Sequence, residues 1–204
     1  MSLNTARGTL VIAGAGGSPA QTIVFQYNPG NLRRTLVPQL LGGDNPSRSQ
    51  PLLYTAPPTE TIELQLEIDA LDQDAKSGVG SSGLGILPQL CALEIVLYPP
   101  TSKQVALATA MSAGMLEVGV VAAPQLLLSW GSNRSAPVQI TELSVTEDAF
   151  DPSLNPVRAT VQLKLRVLST ADVDPGDPNY SSYLAYQGTK ETFAQQGYSK
   201  GQSQ

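Results

Sequence analysis

Histidine is absent from the 204 residues, and cysteine occurs once, at Cys91. Without imidazole there is no Ser-His-Asp or Cys-His nucleophile system and no histidine metal ligand. One thiol forms neither an intrachain disulfide nor a thiolate zinc cluster. Charge is also scarce: 14% of residues are Asp, Glu, Lys or Arg, against roughly 25% in soluble domains. The net charge of −5 argues against a basic nucleic-acid-binding stripe. The stretch Val105–Leu128 carries only Glu117 as a charge and resembles a membrane span in this respect. Gly114, Gly119, Pro124 and the central Glu117 disfavour it as a helix in lipid, so it is predicted to be buried β structure. Met1–Ala6 has neither a basic n-region nor an apolar h-region, so no secretory signal is expected. Cys91, in an apolar run, is predicted to be a core thiol.

Glycine and proline are plentiful, with 18 and 16 copies, which favours many short elements and turns. A length near 200 suits one β-rich domain with a tail. Thr9–Ala13 and Thr22–Tyr27 read as strands around a glycine-rich loop, and Tyr27-Asn28-Pro29-Gly30 as a turn. Residues 33–58, holding Pro38, Pro46, Pro51, Pro57 and Pro58, read as a long loop or interaction arm. In Thr61–Ala70, Ile62, Leu64, Leu66 and Ile68 alternate with Glu63, Gln65, Glu67 and Asp69. In Val157–Val167, Ala159, Val161, Leu163 and Leu165 alternate with Arg158, Thr160, Gln162, Lys164 and Arg166. Period two makes each a strand with one apolar face, one acidic outside and the other basic. The two outer faces are complementary if the strands are neighbours, within or between subunits. Leu126–Trp130 is a short apolar strand. Val138–Glu147 is another, whose phase slips near Thr141–Glu142, predicting a bulge. Residues 86–98 form the one good helix, stopped by Pro99-Pro100. Beyond Leu168 an aspartate- and proline-bearing linker leads to a short helical or disordered tail. The expected fold is mainly β: an antiparallel barrel or sandwich with one helix over residues 1–170, then a tail over 171–204.

No local motif nominates an active site. The Gly78–Gly83 stretch fits a dinucleotide-loop pattern but lacks the βαβ setting and the following acid. Asp72–Gly83 resembles a calcium loop with a lysine in a ligand position and Gly83 where the closing glutamate belongs. The carboxylate groups Asp69, Asp72, Asp74 and Glu147, Asp148, Asp151 have turn and strand-face roles as their simplest reading. No cofactor, metal or catalytic residue is therefore expected, and an enzyme is disfavoured. A carbohydrate-binding β-sandwich would want clustered exposed aromatics, and Trp130 is the only tryptophan.

Five ordered blocks carry a resemblance to a known family. Phe25, Tyr27, Asn28, Pro29, Leu32, Arg34 and Thr35 fit F-x-[FY]-N-P-x-x-L-x-R-T. Pro58, Glu60 and Ile62, with Leu66, Ile68, Asp69 and Ala70, fit P-x-E-x-I and L-x-[FI]-D-A. Gly85–Glu94 with Tyr98-Pro99 resembles that family's helix. Trp130-Gly131, Arg134 and Pro137–Thr141 follow, and then Glu147–Ala159, which includes Phe150, Asp151, Pro152, Asn155 and Pro156. Together these resemble the tube-adaptor proteins of contractile injection systems over roughly residues 20–168.

The resemblance implies a tube-like β-barrel with one helix, and a non-enzymatic part of a phage-tail-like machine. It implies a hexameric ring joining the spike to the inner tube, with the spike, the inner tube or tube initiator, and baseplate or sheath-base proteins as partners. A tube-initiator or inner-tube layer is the nearest alternative. Nucleic acid and direct membrane insertion are not implied. The expected location is a particle built from protein made in the cytoplasm, then retained there, membrane-anchored or released. Many members carry a C-terminal LysM module; after Leu168 this chain has too few residues for one. Within that frame Arg33, Arg34, Glu63, Glu67, Asp69, Arg134, Arg158, Lys164 and Arg166 are candidate inter-subunit residues. Asn28 and Pro29 fix a turn, Trp130 is a core or interface anchor, and Glu147–Pro152 builds a corner with Phe150 as its apolar anchor.

Overall fold

The computed structural model describes residues 6–14, 20–41, 53–70, 83–114 and 122–201. The chain runs β1 (Gly8–Ile12), β2 (Gln21–Val24), β3 (Leu32–Leu40), β4 (Tyr54–Asp69), α1 (Leu87–Glu94), a 3-10 turn (Ile95–Leu97), α2 (Thr101–Ser112), β5 (Leu126–Trp130), β6 (Ser135–Phe150), β7 (Pro156–Val167) and α3 (Pro178–Gly201). All seven strands form one antiparallel sheet in the order β2-β1-β5-β6-β7-β4-β3.

The two alternating strands pair directly. Ile62, Leu64, Leu66 and Ile68 of β4 lie opposite Leu165, Leu163, Val161 and Ala159 of β7 and are buried with them. Burying a side chain of this size stabilises by about 1.5–3 kcal/mol. Leu10, Leu126, Leu128, Val138 and Ile140 extend this core across the sheet. The phase slip in β6 is a bulge, a register shift between Ile140 and Glu142. It returns Leu143 and Val145 to the inner face, where they pack against the core.

The sheet is strongly curled but not closed. β2 and β4 stand at positions one and six of the strand order, yet residues beside them touch. The Gln26 side-chain Nε2 donates to the Asp69 carbonyl at 2.7 Å, and its Oε1 accepts from the Asp69 N–H at 3.0 Å. One side-chain amide thus stands in for a missing strand. Below it lies a cavity of about 290 Å³ lined by Ile23, Phe25, Leu66, Ile68 and Leu93. The inner face is capped at one end by α1, through Leu90 and Leu93, and at the other by α3, through Tyr183 and Tyr186.

Several expectations are corrected. The chain has three described helices where one was expected. Of Val105–Leu128, expected as buried β structure, the first part belongs to the helix Thr101–Ser112, which has no buried residue, and only the end enters β5. The run of alanine, leucine, glutamine, lysine and methionine in Thr101–Ser112 favours a helix, and Pro100 precedes its first turn. Cys91 is exposed, because α1 turns Leu90 and Leu93 inward and leaves Cys91 on the opposite side. The 33–58 arm is no loop where described: β3 and the first half of β4 form a two-stranded ribbon. Its prolines are tolerated where pairing is irregular or one-sided, Pro38 at a register shift of the edge strand and Pro57-Pro58 ahead of the first β7 partner, Thr61. The tail is a 24-residue helix that Tyr183 and Tyr186 join to the core. The helical alternative expected for the tail is the one found, longer than expected because it begins at Pro178 and runs to Gly201. Residues 42–52, Glu117 and the glycine-rich and calcium-like motifs, apart from Gly83, lie outside the described residues.

Gly85 joins the β6–β7 hairpin to α1. Its φ is +57°, and a Cβ there would meet the Pro156 carbonyl oxygen at 2.1 Å. That carbonyl accepts the Ile86 N–H at 2.8 Å, starting the helix. Gly85→Ala is expected to destabilise the fold by at least about 2 kcal/mol in urea unfolding. Gly176→Ala, with nothing within 4 Å of its Cβ, is expected to stay within about 0.5 kcal/mol.

Candidate assembly surface

One carboxylate organises the end of the sheet under α3. Glu60 continues the inward phase of Ile62 and Leu64, and only 3% of its surface is exposed. Its Oε1 accepts from Arg34 Nε at 2.8 Å and from the Tyr186 hydroxyl at 2.8 Å. Its Oε2 accepts from Lys190 Nζ at 2.6 Å. Lys190 Nζ also lies 4.0 Å from the Tyr186 ring centre, a cation–π contact. Strands β3 and β4 and helix α3 therefore meet on a single side chain. Burial alone would raise the Glu60 carboxyl, but the Lys190 and Tyr186 hydrogen bonds, with Arg34 behind them, hold it below its ordinary value. Burial, and then the Glu60 contact, push the Tyr186 hydroxyl upward. Asp177 fixes the start of the helix: its Oδ1 accepts the Asn179 N–H at 2.7 Å and the Gln125 side chain at 3.2 Å.

Beside this cluster, α3 and the β5–β6 turn enclose a cavity of about 460 Å³. Trp130, Tyr186 and Phe193 give it aromatic walls, and Arg34, Arg134 and Lys190 give it positive charge. Arg34 and Lys190 share Glu60, whereas Arg134 makes no ion pair among the described residues. Trp130 is half-buried, its ring 6.4 Å from that of the buried Phe25. It is thus partly a core anchor and partly a surface.

The outer face of the same strands carries ordered charges. Arg33, Glu63, Lys164 and Glu142 stand opposite one another across β3, β4, β7 and β6, a row of alternating sign. Arg33 and Lys164 approach Glu63 at 3.7 and 3.8 Å. The next rows are neutral or nearly so, with Gln65, Gln162 and Ser144, then Glu67, Thr160 and Thr146. Asp69 closes the series, its Oδ2 2.8 Å from Arg158 Nη2. Arg166 pairs with Asp172. The acidic and basic faces therefore neutralise each other inside one chain. The exposed members add under about 1 kcal/mol each and leave a flat polar face.

The family-pattern residues divide by role. Asn28 brackets β1: its Oδ1 accepts the Gly8 N–H at 2.9 Å and its Nδ2 donates to the Ala6 carbonyl at 2.8 Å. Tyr27 and Pro29 lie on the turn beside it. Asp151 holds the β6–β7 tip, accepting the Ser153 and Asn155 N–H groups at 2.8 and 2.9 Å and the Asn155 side chain at 2.9 Å. Asn155 also donates to the Gly83 carbonyl at 3.0 Å, and Pro152 lies in the turn. The segment is a tight hairpin end in place of the expected corner. Phe150 is not its buried anchor: half of its surface is exposed, because β6 has passed beyond the core by that point. Leu154 is more exposed still, at 79%, and holds a left-handed φ of 64°. A non-glycine residue costs about 1–2 kcal/mol there.

Exposed apolar surface lies on the β3–β4 ribbon, at Leu36, Val37, Leu41, Leu53 and Tyr54, and around α1, at Leu84, Leu87, Ile95, Leu97 and Tyr98. No residue of β3 is buried. Both sheet edges, β2 and β3, lack a strand partner on their outer sides among the described residues. Val105 and Met111 add exposed apolar groups on α2. Arg34, expected between subunits, instead pairs with Glu60 inside the chain, and the role of Glu60 as a buried anchor was not expected. The signal was available: Glu60 is a charge at an inward position of a strand whose other inward residues are aliphatic.

No group of three or more metal-ligating side chains is gathered among the described residues. No helix of theirs is long and apolar enough to cross a membrane. No family model matches the chain, and no curated protein matches its sequence.

Replacing Glu60 with glutamine strands two cations beside α3. The expected destabilisation is about 2 kcal/mol, less than for a fully buried pair because Arg34 and Lys190 are partly solvated. The depressed carboxyl adds stability above its ordinary value of 4.5, and that stability is lost as pH falls through the lower folded value. The raised Tyr186 hydroxyl adds stability up to its ordinary value of 10.0, lost as pH climbs above it through the folded value. Urea midpoints measured against pH are expected to fall in acid for the natural chain and to flatten there in Glu60→Gln.

Proposed function

We propose that this chain is a structural subunit of a phage-tail-like contractile injection machine, forming an adaptor ring between spike and inner tube. The observation that carries the reading is the curled sheet with both edges open and an apolar ribbon standing beyond the core. An unpaired edge is a template for another strand, and monomeric proteins usually block it. Here neither edge has a strand partner on its outer side among the described residues, and the β3 edge carries exposed leucine and valine. Neighbouring copies that pair or cover these edges would complete the tube-type barrel. The five ordered sequence blocks supply the injection-machine context and the hexameric number. The internally neutralised outer face suits a wall of a ring, since it neither attracts nor repels one sign of charge. Spike, inner tube or tube initiator, and baseplate or sheath-base proteins are the partners this reading requires.

Native mass spectrometry and electron microscopy of the purified chain at high concentration test the reading, with six-membered rings as the expected result. Val37→Asp combined with Tyr54→Asp changes only exposed residues and is expected to abolish rings while thermal unfolding stays unchanged. Monomers alone in the natural protein, with no ring in any imaged particle, would overturn it.

A further inference from the structure

Two exposed features stand at opposite ends of β6. At the C-terminal end, the β6–β7 tip presents Phe150 and Leu154 to solvent, flanked by the exposed carboxylates Glu147 and Asp148. Leucine is a poor choice there on two grounds, since it meets water and occupies a left-handed backbone position that suits glycine or asparagine. At the N-terminal end of β6 lies the cavity of about 460 Å³ walled by Trp130, Tyr186 and Phe193. One carboxylate, Glu60, offsets Arg34 and Lys190, and Arg134 adds a further positive charge. The cavity is aromatic and cationic, and the tip is aliphatic, aromatic and anionic.

We propose that the β6–β7 tip of one copy seats in the aromatic cavity beside α3 of a second copy. Leu154 and Phe150 meet the aromatic walls, and Glu147 and Asp148 face Arg134 and its neighbouring cations. The occupant is a second copy because this chain itself carries a tip with both the apolar groups and the opposite charge that the cavity calls for. The contact is heterologous: each copy offers a tip at one end and a cavity at the other, so association runs head to tail. It goes beyond the ring reading, which uses the sheet edges and the ribbon.

The test uses two full-length variants. Leu154→Asp removes the apolar tip with a residue that accepts the left-handed backbone better than leucine. Arg134→Glu cancels the net positive charge of the cavity and its Glu60 neighbour. Far-UV circular dichroism and thermal melts check that both fold. Sedimentation velocity over a concentration series is expected to show head-to-tail association in the natural chain, weakened at least tenfold in either variant alone. A one-to-one mixture is expected to recover pairs and stop there, because the remaining ends of each pair are a defective tip and a defective cavity. Association unchanged in both variants, or no recovery on mixing, overturns the proposal. So does loss of binding to a different protein with self-association intact, because the occupant is then not a second copy. Rings scored by native mass spectrometry on the same samples separate the two readings. Leu154→Asp is expected to keep rings. Absent rings in the natural chain count against the ring alone, and unchanged head-to-tail association in the variants counts against this contact alone.

Discussion

The Glu60 carboxylate is the constraint on which the arrangement of this molecule turns. A charge that is 3% exposed is tolerated only when its oxygens are filled. Here three groups from β3 and α3 fill them, and each group has a position to hold as a result. Arg34 sets the inward phase of β3 against β4. Tyr186 and Lys190 set the rotation and height of α3 over the open end of the sheet. The α3 helix has few apolar residues of its own, so its docking depends on this polar contact and on Tyr183 and Tyr186 to an unusual degree. The cavity walled by Trp130, Tyr186 and Phe193 exists only because α3 is held there.

The second constraint is incomplete closure. Curling brings Gln26 to Asp69, and a side-chain amide makes the two hydrogen bonds a strand would make. Among the described residues the sheet is left unclosed on that side, and the β3–β4 ribbon runs past the core on the other. Charges on the outer face cancel in rows, so the unfulfilled surface is mostly apolar and backbone.

Much of the sheet was legible in the residues. Alternation in 61–70 and 157–167 located the central pair and its inner face, and the slip in 138–147 located the bulge. Turn chemistry marked the turn at Asn28-Pro29, whereas the corner expected at Glu147–Pro152 is a hairpin end. The ribbon was misread because its prolines signal a loop locally, while edge position and irregular register let a strand accept them. The α2 helix was misread because an apolar stretch gives no account of whether anything packs against it. Cys91 followed the same error, since one helix face cannot be told from the other without its neighbour. Glu60 was visible as a charge in an apolar phase, but its three partners lie 26 to 130 residues away, and no local pattern joins them.

The sequence by itself determined the class of the fold, the inward face of each central strand, and the absence of histidine and disulfide chemistry. Those properties follow from residue type and period two, which are local. Tertiary structure alone decided that the acidic and basic strands are partners in one chain, that the described sheet stops short of closing, and that the tail helix docks on Glu60. Each of these depends on which surfaces meet after the chain has curled, and a buried charge or an open edge is defined only by what stands beside it.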